Sequence, residues 1–121
     1  MTTEEFVCAF RVQMDEMLQD YAAHPPSTAV GTLIQSMVLT PEQSATMRRV
    51  LDHALTDAFY SILLGLDGCA RIGDAMQRDF RIEDKDDDSV ITLGGDIEPL
   101  AYKHFQQGRD GGGGVLDRSI E

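Results

Sequence analysis

The sequence predicts an α+β fold: a helical core with a long central helix, an antiparallel β-hairpin and a short C-terminal helix. Three observations carry that expectation. Apolar residues recur at three-and-four spacing from Met47 to Leu66. The period then switches to alternation at Asp79-Phe80-Arg81-Ile82-Glu83 and to β-formers at Ser89-Val90-Ile91-Thr92-Leu93. Gly94-Gly95 separates these strands from a last apolar stripe at Leu100, Tyr102 and Phe105. The 121 residues leave room for one small domain, expected over residues 1–107, with a flexible glycine-rich tail over 108–121.

Thr2 and Glu5 have capping-box spacing, and Phe6, Phe10, Met14, Met17, Leu18 and Tyr21 mark one face of a helix over about residues 4–22. His24-Pro25-Pro26 ends it, because proline lacks an amide donor and restricts the residue before it. Residues 28–38 read as a short second helix behind Ser27 or Thr28, with an extended segment as the alternative because Gly31 and the β-branched residues weaken a helix. Thr40, Pro41 and Gln43 supply the N-cap, the first-turn proline and the capping-box glutamine of the long helix. Beyond Ala58 that helix is apolar on more than one face, which points to a central position or a subunit interface. The Gly111–Gly114 run is too costly in conformational entropy for a regular element; docking of Val115, Leu116 and Ile120 on a second subunit is the rival reading of the tail.

Twenty-one acidic residues against ten basic ones give a net charge of -11, which opposes nucleic acid and anionic membrane surfaces as partners. No apolar run reaches the ~18 residues of a membrane span, and Met1-Thr2-Thr3-Glu4-Glu5 is acidic where a secretory signal is basic. Cys8 and Cys69 form neither a Cys-x-x-Cys unit nor a disulfide framework, so both read as reduced, buried thiols of a cytoplasmic protein, a disulfide between them being the alternative. The densest charge cluster, Glu83, Asp84, Asp86, Asp87 and Asp88, is the candidate binding patch, suited to steering a basic protein partner.

Tests for chemistry leave little. Asp84, Asp86 and Asp88 copy the first three ligands of a calcium loop, but Ser89 stands at the turn glycine and Gly95 at the bidentate glutamate, so no metal site is expected. The four glycines follow a helix and no Gly-Lys-Ser/Thr follows them, so no phosphate-bearing cofactor is expected either. His53 and Asp57 stand one helical turn apart and suit acid–base work, although a helix-surface pair is the plainer reading. Asp67 reads as a turn carboxylate satisfied by donors of its own Asp-Gly turn, with a site shared with Asp74 or His53 as the alternative. His104 is expected to contact the carbonyls at its helix end, and most methionines read as core fillers, with Met76 at an exposed edge near the hairpin.

The run from Ala58 to Cys69, with Phe80-Arg81-Ile82 and Leu100-Ala101-Tyr102-Lys103-His104-Phe105, resembles a loosely characterised family of small acidic bacterial cytoplasmic proteins. Some of these resemble immunity proteins of toxin systems. The resemblance covers residues 50–106 and implies an apolar helix, an acidic hairpin and a terminal helix with an aromatic pair; no catalytic residue comes with it. The expected function is a non-enzymatic protein-binding or immunity-like inhibitor. The alternatives are a structural homodimer or larger homo-oligomer built on the long helix, and a small hydrolase or isomerase using His53 with Asp57 or Asp67.

Overall fold

A computed structural model describes residues 1–108 and shows the α+β class. The elements in order are α1 (Thr3–Tyr21), α2 (Ala29–Ser36), α3 (Pro41–Leu66), β1 (Ile82–Glu83), β2 (Val90–Thr92), α4 (Glu98–Ala101) and a π-helical turn (Tyr102–Gln106). From residue 109 onward the expected tail lies outside the described residues. Among the described residues no helix is long and apolar enough to cross a membrane.

Each long helix begins where its capping chemistry dictates. The Thr2 amide donates to Glu5 Oε1 at 2.8 Å while the Glu5 amide donates to Thr2 Oγ1 at 3.0 Å. Thr40 and Gln43 repeat this reciprocal pair at 3.0 and 3.1 Å. Segment 29–36 is helical, not extended, because the Thr28 hydroxyl accepts the Gly31 amide at 2.9 Å and so stabilises the first turn against the poor propensities inside it. Such caps contribute about 1 kcal/mol each.

Within the span expected to form one domain, two compact units are distinguished: residues 1–11 with 59 onward, and residues 12–58. The first unit has a core of Val7, Leu63, Ile91, Ile97, Ala101 and Phe105. Beside it runs an aromatic ladder in which Phe6 meets Phe10 edge-on at 5.1 Å, Phe10 meets Phe59 at 6.2 Å, and Phe59 stacks on Phe105 at 6.2 Å. Arg11 lies 5.8 Å over the Phe105 ring and donates from Nη1 to the His104 carbonyl at 3.0 Å. The second unit buries Met14, Leu18 and Thr56, whose hydroxyl donates to Asp52 Oδ1 at 3.2 Å.

Several expected faces differ in detail. On α1, Val7 is fully buried whereas Phe6 and Phe10 are only half-buried. On α3, Val50, Ala54, Ala58 and Ile62, all assigned to the apolar stripe, are exposed. A 26-residue helix in a chain of this length has more apolar surface than the remaining elements can cover. The hairpin is also shorter than its alternation implies. Ile82 pairs with Thr92 and Glu83 with Val90 across an irregularity, while residues 79–81 stay outside the ladder. The chain leading into β1 is committed elsewhere: Gln77 Nε2 donates to the Gly68 carbonyl at 2.6 Å, and the Asp79 carboxylate packs against Gly68. Gly68 has φ of +77°, and a Cβ there would stand 2.5 Å from Asp79 Oδ1 and 2.9 Å from the Arg78 carbonyl, so glycine is required.

Asp67 joins these pieces. Its side chain is 1% exposed, and Oδ1 accepts from the Thr92 hydroxyl at 2.6 Å and the Ile97 amide at 2.9 Å. Oδ2 accepts from the Glu98 amide at 2.8 Å and the Cys69 thiol at 3.4 Å, and the Asp67 carbonyl takes the Gly95 amide at 3.0 Å. The backbone donors and the Thr92 hydroxyl therefore come from the end of β2 and the start of α4, and the local Asp-Gly-Cys segment adds only the Cys69 thiol. Ile97 and Glu98 carry amides that have no partner inside the helix, so a carboxylate 30 residues upstream caps α4. Burial pushes the Asp67 carboxyl up, but the hydrogen bonds from Thr92, Ile97, Glu98 and Cys69 outweigh it and hold the pKa below the ordinary value of 3.8.

A carboxyl depressed on folding contributes stability that is present above its unfolded pKa and is lost as pH falls through the folded one. Asp67→Asn turns an amide N–H₂ toward the Glu98 amide and is expected to cost about 1–3 kcal/mol at pH 7. Urea denaturation at pH 7 and pH 3 checks this: the loss of stability on acidification is expected to be smaller in Asp67→Asn than in the wild type.

Candidate functional site

The acidic hairpin turn is organised from within. Asp84 Oδ1 accepts the Asp86 amide at 2.9 Å and Asp87 Oδ1 accepts the Ser89 amide at 3.0 Å, while the Asp84 amide closes the turn on the Ser89 carbonyl at 2.8 Å. The Met1 amino group binds Asp84 Oδ2 at 3.0 Å and also Asp87 Oδ2. It is pushed up to about 10 by these two carboxylates, Asp87 first, and both carboxyls are held below their usual range. Glu83 Oε2 accepts from Arg81 Nε at 2.9 Å. Of the expected binding patch, Asp84, Asp87 and Glu83 thus hold cations of this chain, while Asp86 and Asp88 are exposed.

His53 and Asp57 lie exposed on α3. Asp67, the other carboxylate considered for His53, has both oxygens engaged by its capping donors. The two cysteines are free thiols, but Cys69 is exposed where a buried thiol was expected, because it sits just past the turn that ends α3. Desolvation of its sulfur, the hydrogen bond to Asp67 and that carboxylate's charge push its thiol up to about 11.

Residues far apart in sequence converge at Glu4, Cys8 and His104. Glu4 and Cys8 stand one turn apart on the same face of α1, and the π-helical turn presents His104 to them. His104 Nε2 lies 2.9 Å from Glu4 Oε2 and 3.5 Å from Cys8 Sγ, and the three ligand atoms all lie within 4.8 Å of one another. Lys103 Nζ donates to the same Glu4 oxygen at 3.0 Å. Hydrogen bonds from His104 and Lys103 hold the Glu4 carboxyl below its ordinary pKa. The His104 ring contacts these side chains instead of the helix-end carbonyls that were expected. The only local hint was the Glu4–Cys8 spacing; the partner is 96 residues further on.

The 12–58 unit holds a groove of about 420 Å³. Leu18, Tyr21, Ile34, Leu39, Met47 and Leu51 give it an apolar floor, and His24, Gln35, Ser44 and Arg48 add polar edges. Val38 also lines it. It is 85% exposed and has φ of +54°, a left-handed conformation that crowds a β-branched side chain. Its amide donates to the Gln35 carbonyl at 3.2 Å in the turn that closes α2. Leu33 on α2 and Met37 at its C-cap are also exposed apolar residues, at 67% and 55%. The lining includes neither His53 nor Asp57. Comparison with protein-family models, curated proteins and solved structures finds no match to the chain.

Exposure and reactivity should therefore separate at the cysteines. A thiol raised to about 11 carries little thiolate at pH 7. Alkylation of Cys69 by iodoacetamide at that pH is expected to run at least ~10-fold slower than for an unperturbed thiol. Peptide mapping of the modified chain checks it, and Asp67→Asn should speed the reaction.

Proposed function

We propose that the protein is a non-enzymatic cytoplasmic binding protein whose 12–58 groove receives an amphipathic helix of a basic protein partner. An immunity-type inhibitor is one protein of this kind. The observation that carries the reading is Val38: a β-branched residue in a left-handed turn, exposed at the lip of an apolar groove. Left-handed backbone costs a residue with a Cβ roughly 1–2 kcal/mol, which glycine or asparagine avoids. A side chain kept there against that cost, with its methyl groups in water, is accounted for by a partner that covers it. The groove's apolar floor and polar edges suit helix-in-groove recognition.

Charge supports the partner's chemistry. The 12–58 unit carries six acidic residues, Asp15, Glu16, Asp20, Glu42, Asp52 and Asp57, against Arg48 and Arg49. The net charge of -11 speeds encounter with a cationic protein and disfavours nucleic acid. Asp86 and Asp88 add to that field, in the role expected for the acidic turn.

A fluorescent helical peptide of leucine and lysine in amphipathic register is the probe. It is expected to bind one to one, with affinity about 5-fold weaker for Val38→Gly, in keeping with loss of part of one valine's buried area. The same variant is expected to raise Tm, since the strain is relieved. Equal binding by Val38→Gly, or equal binding of a leucine–glutamate peptide, would overturn the reading.

A second reading has its own observation. The exposed Val50, Ala54, Ala58 and Ile62 repeat every fourth residue along α3, as a helix–helix contact between two copies requires. Sedimentation equilibrium at micromolar concentration tests it. The reading requires a dimer that Val50→Glu dissociates, and a monomeric wild type removes it.

A further inference from the structure

The groove, the Asp67 network and the acidic turn leave one chemically distinctive cluster without a role. Glu4, Cys8 and His104 bring a carboxylate oxygen, a sulfur and an imidazole nitrogen to one point. We propose that these three side chains form a zinc-binding site with its fourth coordination position open to water or an external ligand. The inference is independent of the groove and of any protein partner.

The geometry is close to what the ion needs. Zinc bonds of about 2.0–2.3 Å at tetrahedral angles place neighbouring ligand atoms roughly 3.3–3.6 Å apart. His104 Nε2 and Cys8 Sγ are already 3.5 Å apart. Nε2 and Glu4 Oε2, at 2.9 Å, stand at hydrogen-bond distance and must open by a few tenths of an ångström as the metal replaces the proton between them. Glu4 is exposed and can make that adjustment by rotating its side chain. Cys8 and His104 are half-buried and Glu4 is exposed, so the cluster is open to water on the Glu4 side.

The donor set chooses the metal. A thiolate and an imidazole together select zinc over calcium or magnesium, and three protein ligands are the number found where zinc keeps a position for water or substrate. Thiolate and imidazole ligands bind a metal only in their deprotonated forms, so affinity for a site of this composition rises with pH. The local backbone is unusual as well. Tyr102–Gln106 forms a π-helical turn, closed by the Gln107 amide on the Tyr102 carbonyl at 2.7 Å, and such turns are uncommon and are often found at functional sites. An ion pair between Glu4 and Lys103 or His104 would account for the carboxylate alone. It gives no role to a thiol at the same corner.

Cobalt(II) is the probe, added to the reduced, untagged 121-residue chain. The expected result is a one-to-one complex with thiolate-to-cobalt charge-transfer absorption and the intense visible bands of four-coordinate cobalt, all bleached by zinc. Cys8→Ser should abolish the charge-transfer band, and Glu4→Gln, an exposed and conservative change, should weaken binding by about tenfold or more. Circular dichroism of the metal-free variants verifies that each is folded. Cys69→Ser and the double variant Asp86→Asn/Asp88→Asn should keep the bands. No charge-transfer band in the wild type, its survival in Cys8→Ser, or its loss in Cys69→Ser or in the acidic-turn variant would each overturn the assignment.

Discussion

One buried carboxylate organises the unit built from residues 1–11 and 59 onward. Asp67 sits where α3 ends, yet its hydrogen bonds reach the end of β2 and the first amides of α4. A carboxylate out of water is costly unless its oxygens are saturated with donors, and here two backbone amides, the Thr92 hydroxyl and the Cys69 thiol supply them. The cost and the compensation are inseparable: removing the carboxylate leaves α4 uncapped, and displacing α4 leaves a buried charge. The Cys69 thiol and the Gly68–Asp79 contact follow from the same junction, since the chain must turn sharply to leave Asp67 inside.

Charge in this protein is arranged in two ways. Part of it is used internally, as where Asp84 and Asp87 engage the Met1 amino group and Glu83 engages Arg81. These exposed pairs shape the hairpin turn and contribute little to stability in high dielectric. The remainder stays as a net negative field, and fields of that kind act on encounter rates at distances where contacts cannot. The acidic turn is thus a formed structure with its own hydrogen bonds, and its outward charge is smaller than its composition suggests.

Apolar surface is likewise divided. Val7, Leu63, Ile91, Ile97 and Phe105 are sealed, while Leu33, Met37, Val38, Val50 and Ile62 are more than half exposed. Scattered exposed apolar residues are ordinary in small proteins. A strained valine at the lip of an apolar groove is less so, because a locally cheaper residue exists for that backbone. The Glu4–Cys8–His104 corner differs again: its distinction is the convergence of chemically different ligand atoms beside a π-helical turn.

Helix starts, the helical period and the placement of the hairpin were legible locally, because each depends on residues within a few positions of one another. Thr2 with Glu5, and Thr40 with Gln43, close their capping boxes as their spacing implies. The choice of helix for 29–36 rested on one hydroxyl, Thr28, whose contribution competes closely with the propensities opposing it. The true extent of β1 escaped detection because alternation is compatible with pairing or docking, and Asp79, with Gln77 just before the alternating run, takes the second at the Gly68 turn. Which side of α3 is covered depends on how many other elements the chain can supply, so periodicity marked a stripe that includes exposed Val50 and Ile62. Apart from the neighbouring Cys69 thiol, the partners of Asp67 lie 25 to 31 residues away, and Cys8 meets His104 across nearly a hundred. No spacing rule spans such intervals; only the folded chain, by closing those loops, decides which carboxylate becomes a cap and which thiol meets an imidazole.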